Sequence, residues 1–263
     1  MNEMLAAATM HVVAILNQKG GVGKTTDTIH LGGALAEYGR RVLLVDLDPQ
    51  GNLTTALGVP RLEGPLTMTT AMLNGCSAEQ ARALVRQHSD NLYVIPSSLD
   101  MFSLPRKLHG ERAAHERLWR VLRHLEGMFD VVLIDCRPGL DVDTDAALFA
   151  AGSLLIPVDV DEFSIDALSL LLGQMETLSL ELEHPSPEIR GLIINRVVLP
   201  LSGINGAVMK ELKAAGPQAL AEIPVRSILA EARNQRKTIT QYAPKSDVAQ
   251  MFRDLAKATG LVA

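Results

Sequence analysis

The stretch Ile15 to Thr28, ILNQKGGVGKTTDT, lies between an apolar run, Val12 to Leu16, and a helical pattern from Thr25 to Tyr38. Strand, glycine loop and helix in that order make a phosphate cradle. Glycines let backbone N–H groups turn inward around phosphate oxygens, Lys24 can neutralise β and γ charge, and Thr25 can ligate Mg²⁺ beside the positive end of the helix dipole. The strict loop pattern fails at one place. Where it requires a glycine, five residues before Gly23, the chain has Gln18, and a second lysine, Lys19, stands next to it. One loop lysine is enough for a phosphate, so Lys19 needs its own explanation.

Working outward, apolar runs of strand length recur at Val42–Val45, Leu92–Ile95, Val131–Ile134, Leu154–Val158, Leu192–Ile194 and, more weakly, Leu220–Ile223. Helical patterns fill the intervals. The fold class is therefore α/β: a single doubly wound, mostly parallel sheet with helices on both faces. Glu111–Leu125 and Ser164–Leu182 read as the longest crossovers, and Pro60–Pro65 and Pro96–Pro105 as loops. At 263 residues and 47% hydrophobic content the chain supports one large domain, residues 11–263, after a short tail, residues 1–10. Aromatics make up only 3%, so the core must be aliphatic, which suits buried parallel strands.

Cys76 and Cys136 are too few for a disulfide framework and match no metal-ligand spacing, which fits a reducing cytoplasm. The apolar start, Met4–Leu16, has no basic flank, is interrupted by His11 and runs directly into the glycine loop, so it reads as tail plus first strand and not as a leader. No stretch reaches the roughly 18 to 20 apolar residues of a membrane span. A soluble, cytoplasmic protein is expected.

Ligand sites of such sheets collect at the carboxyl ends of the strands. After the second run comes Asp46-Leu47-Asp48-Pro49-Gln50-Gly51-Asn52, after the fourth Asp135-Cys136-Arg137-Pro138-Gly139, and after the sixth Asn195-Arg196. Asp135, ending an apolar strand, is the candidate carboxylate on the Mg²⁺ side, opposite Thr25. Hydrolysis also needs a group to orient the attacking water, and a phosphate loop supplies none. Asp46 and Asp48 are the candidates, with Asp48 preferred because it lies further into the loop.

The net charge of −5 argues against nucleic acid, but its distribution argues the other way. Residues 190–263 carry 11 Lys/Arg against 5 Asp/Glu, and residues 1–189 carry 14 against 25. One basic face and scatter over solvated helices are both compatible with this asymmetry.

Lys19-Gly20-Gly21-Val22-Gly23-Lys24-Thr25-Thr26 and Val42 through Asn52 resemble the deviant Walker A and following motif of ParA-type partition ATPases. The resemblance continues through Pro157-Val158, Phe163, Ile223-Pro224-Val225-Arg226, Glu231-Ala232 and Tyr242, and spans about residues 11 to 258. It implies that Lys19 crosses a dimer interface to touch the partner's nucleotide, so that ATP with Mg²⁺ holds an ATP-dependent homodimer together. It further implies a dimer that binds non-specific DNA over the nucleoid, a ParB-type centromere-binding partner that stimulates hydrolysis, and a base pocket that includes Asn195 and Pro224.

Three departures from the family pattern stand out. Similar proteins show Asp-Thr-Pro-Pro where this chain has Asp135-Cys136-Arg137-Pro138. Arg137 is placed either to assist charge stabilisation or to face solvent, and solvent is the preferred expectation. Asp27 follows closely on Thr25, where an acid in the first helical turn favours the dipole without any function. Small residues and proline give way to Arg233-Asn234-Gln235-Arg236 before Lys237. Arg233, Arg236 and Lys237 form the densest positive cluster and are the candidate DNA contacts.

A membrane-bound positioning ATPase like MinD is the main alternative. Its type ends in an amphipathic membrane helix and lacks Asp-Pro-Gln-Gly-Asn, whereas Ser246–Ala263 holds four charged residues and a single aromatic, Phe252, and reads as a packed helix. An iron–sulfur reductase needs two placed cysteine ligands, and a tyrosine kinase of this loop type a tyrosine-rich tail. Neither feature is present, while a cargo other than DNA stays a variant of the first reading. Only about ten residues precede the first strand, which leaves no room there for a helix-turn-helix segment.

Overall fold

The run that precedes the glycine loop becomes β1 (His11–Ile15), a central strand of an eight-stranded sheet. The computed structural model describes residues 10–201 and 203–262, so residues 1–9 of the expected tail lie outside the described residues. The other strands are β2 (Val42–Asp46), β3 (Arg86–Ser89), β4 (Leu92–Ile95), β5 (Val131–Asp135), β6 (Ser153–Asp159), β7 (Glu188–Val197) and β8 (Ala219–Pro224). Their order across the sheet is β3-β4-β2-β5-β1-β6-β7-β8. All neighbours run parallel except β3 and β4.

Because successive side chains of a strand face opposite ways, the aliphatic runs feed two cores at once. Ala14, Leu43, Val45, Val132, Ile134 and Ile156 belong to one, and Val13, Ile15, Leu44, Val131, Leu133 and Leu155 to the other. Helices cover both faces, as the doubly wound reading requires.

One strand has no counterpart among the seven apolar runs, and two further expectations are corrected. β3, with the sequence Arg-Gln-His-Ser, has no apolar signal. It forms only because it can pair antiparallel with β4 at the sheet edge, where polar side chains are tolerated. Within Glu111–Leu125 the α-helix runs only over Arg117–Leu122, between 3-10 turns at Ala114–Glu116 and Arg123–Leu125. Leu118, Val121, Leu122 and Leu125 are all buried, so the apolar period survives while the hydrogen bonding tightens at both ends. Pro96–Pro105 is not all loop either: a 3-10 turn, Leu99–Ser103, leads into a short helix, Leu104–Leu108, with proline in its first turn, where its missing N–H costs nothing.

The C-terminal helix, Asp247–Ala258, is capped by Ser246, whose hydroxyl accepts from the Ala249 N–H at 3.1 Å. Val248, Ala249, Phe252, Leu255 and Ala256 are buried, and the helix lies on Lys24–Glu37, the helix that follows the glycine loop. Phe252 packs on His30 with ring centroids 5.2 Å apart, and Arg253 pairs with Glu37 at 2.7 Å. The apolar face is used up in packing. Among the described residues no helix is long and apolar enough to cross a membrane.

His30 is enclosed and accepts the Ile239 N–H at Nδ1, 3.0 Å away. Burial alone pushes its pKa down to about 3 from an ordinary 6.5. The unfolded chain therefore takes up a proton near pH 6.5 that the folded chain refuses. The stability tied to His30 is complete above that pH and is lost as pH falls from 6.5 towards 3, at up to about 1.4 kcal/mol per pH unit. Urea midpoints measured across this range should drop for the wild type and drop less steeply for His30→Asn, which keeps an acceptor but cannot titrate.

Candidate nucleotide cleft

At the carboxyl ends of the strands lies a cleft of about 1170 Å³, walled by the glycine loop, the segment after β2, the segment after β5 and the region from Ile223 to Lys237. The loop's path depends on Gly23, which caps the following helix at φ 102°. A Cβ there would lie 2.6 Å from the side-chain nitrogen of Asn195, so only glycine lets the loop sit this close to β7. No side chain caps the helix, which leaves its first N–H groups for an anion.

Lys24 is folded back on its own loop, donating to the carbonyls of Asn17 at 2.9 Å and Lys19 at 2.8 Å. Burial lowers its pKa, opposed by the charges of Asp135, Cys136 and Asp48. Lys19 is tied to its own chain as well: its ammonium contacts Asp161 and lies 3.9 Å from Asp159, which Arg196 also holds. The strand-end rule applied to the run Leu154–Val158 points to Asp159 and Asp161, two apart like Asp46 and Asp48.

The two aspartates after β2 separate cleanly. Asp46 is enclosed, accepting from the Thr54 N–H at 2.8 Å, the Thr54 hydroxyl at 2.6 Å and the Asp48 N–H at 3.2 Å. Burial pushes its carboxyl up to about 6 against the pull of these bonds, with the Asp48 charge adding to the rise. It is not among the residues that line the cleft, and its carboxylate is occupied in holding the segment after β2. Asp48 does line the cleft: one carboxylate oxygen accepts the Gln50 N–H at 2.8 Å, and the other has no donor among the described residues.

Residues with no motif signal hold this segment. The Ser97 hydroxyl donates to the Asp48 carbonyl at 2.6 Å, and the Ser97 N–H donates to the Thr54 hydroxyl at 2.9 Å. Arg61 donates to the carbonyls of Pro49, at 2.9 Å, and Gln50, with its guanidinium against Gly51 where a Cβ would collide at 2.6 Å. These contacts join positions 11 to 49 residues apart, and no local pattern reveals them.

Asp135 lies beside Asp46 in the β2–β5 register and is wholly buried. Burial first, then Asp46, raises its pKa well above the ordinary carboxylate value, while a hydrogen bond from Thr25 opposes the rise. One of its oxygens has no partner. A hydroxyl and an unsatisfied carboxylate at a phosphate loop fit Mg²⁺, which prefers few protein oxygens, water and phosphate. Among the described residues no group of three or more His, Cys, Asp or Glu gathers at one point, so no all-protein metal cage competes with this reading.

Asn195 and Asp27 are joined beneath the glycine loop. The Asn195 amide donates to the Val22 carbonyl at 2.9 Å and to Asp27 at 2.6 Å, so its hydrogens brace the loop and are not offered to a base. Asp27 stands in the first turn of the helix after the loop, as read from the sequence, and is wholly buried there. Burial raises its pKa well above normal despite the Asn195 bond. Pro224, ending β8, does line the cleft.

Arg233, Arg236 and Lys237 are exposed and line the same cleft, although they lie far from the loop in sequence. Arg190, Arg196, Lys213, Arg226 and Arg253 are all bound to internal acceptors. Among the described residues, the three cluster side chains have no such partner.

A mostly parallel sheet with a phosphate loop after a central strand, a buried aspartate ending the neighbouring strand and a second aspartate lining the cleft defines a P-loop nucleoside triphosphatase. An AAA domain family model matches residues 10–185. The sporulation initiation inhibitor protein Soj of Bacillus subtilis is 34% identical, covering 94% of this chain and 96% of its own. The chromosome partitioning protein ParA of Caulobacter vibrioides is 33% identical, covering 96% and 95%. A solved ATP complex of Cyanothece McdA, an aspartate-to-alanine variant, superposes with a TM-score of 0.84 at 25% identity, covering 95% of this chain and 96% of that one. The chain belongs to the ParA/Soj family of partition ATPases.

Thr54→Val tests how the segment after β2 is held. It removes one donor to Asp46 and the acceptor of the Ser97 N–H, and should cost about 1–3 kcal/mol in urea denaturation, with side-chain volume nearly unchanged.

Proposed function

We propose that this chain is a cytoplasmic, Mg·ATP-driven DNA-segregation ATPase that pairs as an ATP-sandwich dimer on non-specific DNA. A ParB-type centromere-binding partner would release it by stimulating hydrolysis. The observation that carries this reading is the pair of loop lysines, each held by its own chain beside a cleft that contains Asp48, Thr25 and Arg233.

Lys24 would exchange two carbonyls for phosphate oxygens, and the uncapped helix N-terminus would add its N–H groups. Thr25 and Asp135 would hold Mg²⁺, which neutralises charge on the phosphates when bound. The free oxygen of Asp48 would orient the attacking water. Pro224 would pack near the base, and the Asn195 oxygen is the only part of that amide left for it.

Lys19 would leave Asp161 and Asp159 for the nucleotide of a second copy. Exposed apolar side chains gather where that copy would sit: Leu99 and Phe102 after β4, Phe163 after β6, Val198 and Leu199 after β7, and Val225 after β8. All of them lie at the carboxyl ends of the strands, on the side of the phosphate loop, and a protein partner would cover them.

Lys19→Ala should bind ATP as a monomer yet fail to dimerise with a non-hydrolysable analogue in light scattering. Asp48→Ala should bind and dimerise while hydrolysing poorly. A normal dimer from the first variant, or wild-type turnover from the second, would remove those residues from the proposal.

The unpaired cluster supports DNA contact, since unneutralised cations are what phosphate binding requires. The Arg233→Glu, Arg236→Glu double variant should bind duplex DNA weakly at every sequence, with the slope of log K against log salt reduced by about 0.9 per lost contact. Because the cluster lines the nucleotide cleft, ATP affinity has to be measured alongside. DNA binding equal to wild type across a salt series would make the cluster a solvated face.

A further inference from the structure

The segment after β5 is where this chain departs from the family's Asp-Thr-Pro-Pro, and the structure assigns its arginine a place in the cleft instead of in solvent. Arg137 lines the cleft that also holds Lys24, Thr25 and Asp48. Two residues on, the Gly139 N–H donates to the carbonyl of Gln18, at the start of the phosphate loop, at 3.1 Å. The arginine is thus carried by a segment that is hydrogen-bonded to the loop itself.

Its side chain is held from one side only. Nη1 donates to Asp141 at 3.3 Å and to Asp143 at 3.2 Å. Asp143 is buried and fixed at the start of the helix Val142–Ala150, where its Oδ1 also accepts the Thr144 N–H at 3.0 Å. Nε and Nη2 have no acceptor among the described residues. A guanidinium is a planar fork of five donors, so anchoring one nitrogen on carboxylates leaves the opposite edge aligned and undelivered. A buried carboxylate that orients an arginine without occupying its outer edge is the arrangement by which supporting groups fix a functional one.

We propose that Arg137 is a catalytic residue of this chain, delivering Nε and Nη2 to the γ-phosphoryl oxygens of a nucleoside triphosphate in the same protomer. There it stabilises the charge that builds as the bond to the β-phosphate breaks. Asp143 is its positioning residue. The inference rests on the ATPase reading above and adds a built-in arginine to it. A positive group that touches the transferred phosphoryl lowers the barrier more than it strengthens ground-state binding, so its loss falls on turnover and not on affinity.

The test compares Arg137→Ala, Arg137→Lys and Asp143→Asn with the wild type, by ATP turnover in the presence of non-specific duplex DNA and by binding of a non-hydrolysable ATP analogue. Arg137→Ala should lower kcat by about 100-fold with analogue affinity within about two-fold, and guanidinium ion added to the assay should restore part of the rate. Arg137→Lys keeps the charge beside Asp143 and should keep the thermal midpoint, yet remain slow because it lacks the fork. Asp143→Asn should lower kcat less than Arg137→Ala does. Wild-type turnover from Arg137→Ala, or full recovery in Arg137→Lys, overturns the inference and leaves a structural ion pair. A wild-type chain that turns over no ATP at all overturns the ATPase reading itself, a failure that no Arg137 variant can mimic.

Discussion

Two carboxylates ending adjacent strands, Asp46 on β2 and Asp135 on β5, lie side by side in the sheet register and wholly out of water. Like charges so placed repel strongly unless protonated or neutralised. The protein answers for Asp46 with three hydrogen bonds, from Thr54 and the Asp48 backbone, and for Asp135 only in part, with Thr25 and Thr28 near one side and an oxygen left unpartnered. Asp46 therefore organises the segment that carries Asp48, while Asp135 keeps one buried oxygen without a hydrogen-bond partner. The rest of the cleft is arranged around that inequality.

The cations of the loop obey the same constraint. Each lysine has acceptors within reach: Lys24 two carbonyls of the loop, Lys19 the carboxylate of Asp161. A phosphate would compete against these bonds and not against bulk water alone: for Lys24 it would replace neutral carbonyls with formal negative charge, and for Lys19 it would exchange one anion for another. The loop is pre-shaped by groups that a nucleotide can displace. Asn195 and Asp27, which brace the loop from below, are not among them, because both are buried and bonded to each other.

Much of this was legible in the sequence wherever chemistry and period coincide. Seven of the eight strands announce themselves as aliphatic runs, and the glycine loop, Asp48 and Asp135 follow from residue type at a strand's carboxyl end. What was not legible depends on neighbours across the sheet. Arg-Gln-His-Ser becomes a strand only because β4 offers an open edge. Asn195 has the donors to read a base, and loses them to Val22 and Asp27, 173 and 168 residues away. Asp46 and Asp48 look equivalent two apart, until Thr54 and Ser97 close over the first and hold the backbone of the second.

Charge was the least local signal of all. The positive excess of residues 190–263 suggests a broad basic face, yet pairing takes part of it: Arg196 is held by Asp159, Lys213 by Glu222, Arg226 by Asp247 and Arg253 by Glu37. Of the cations left without an ion pair, Arg233, Arg236 and Lys237 are the ones that stand together on the wall of the cleft that contains the phosphate loop. The Arg236 side chain lies so close over Gly58 that a Cβ there would collide at 2.3 Å, and Gly58 ends the segment that begins with Asp48. Two stretches nearly 180 residues apart in sequence thus meet on one wall of the cleft, and the contact between them is made by the Arg236 stem on the Gly58 backbone.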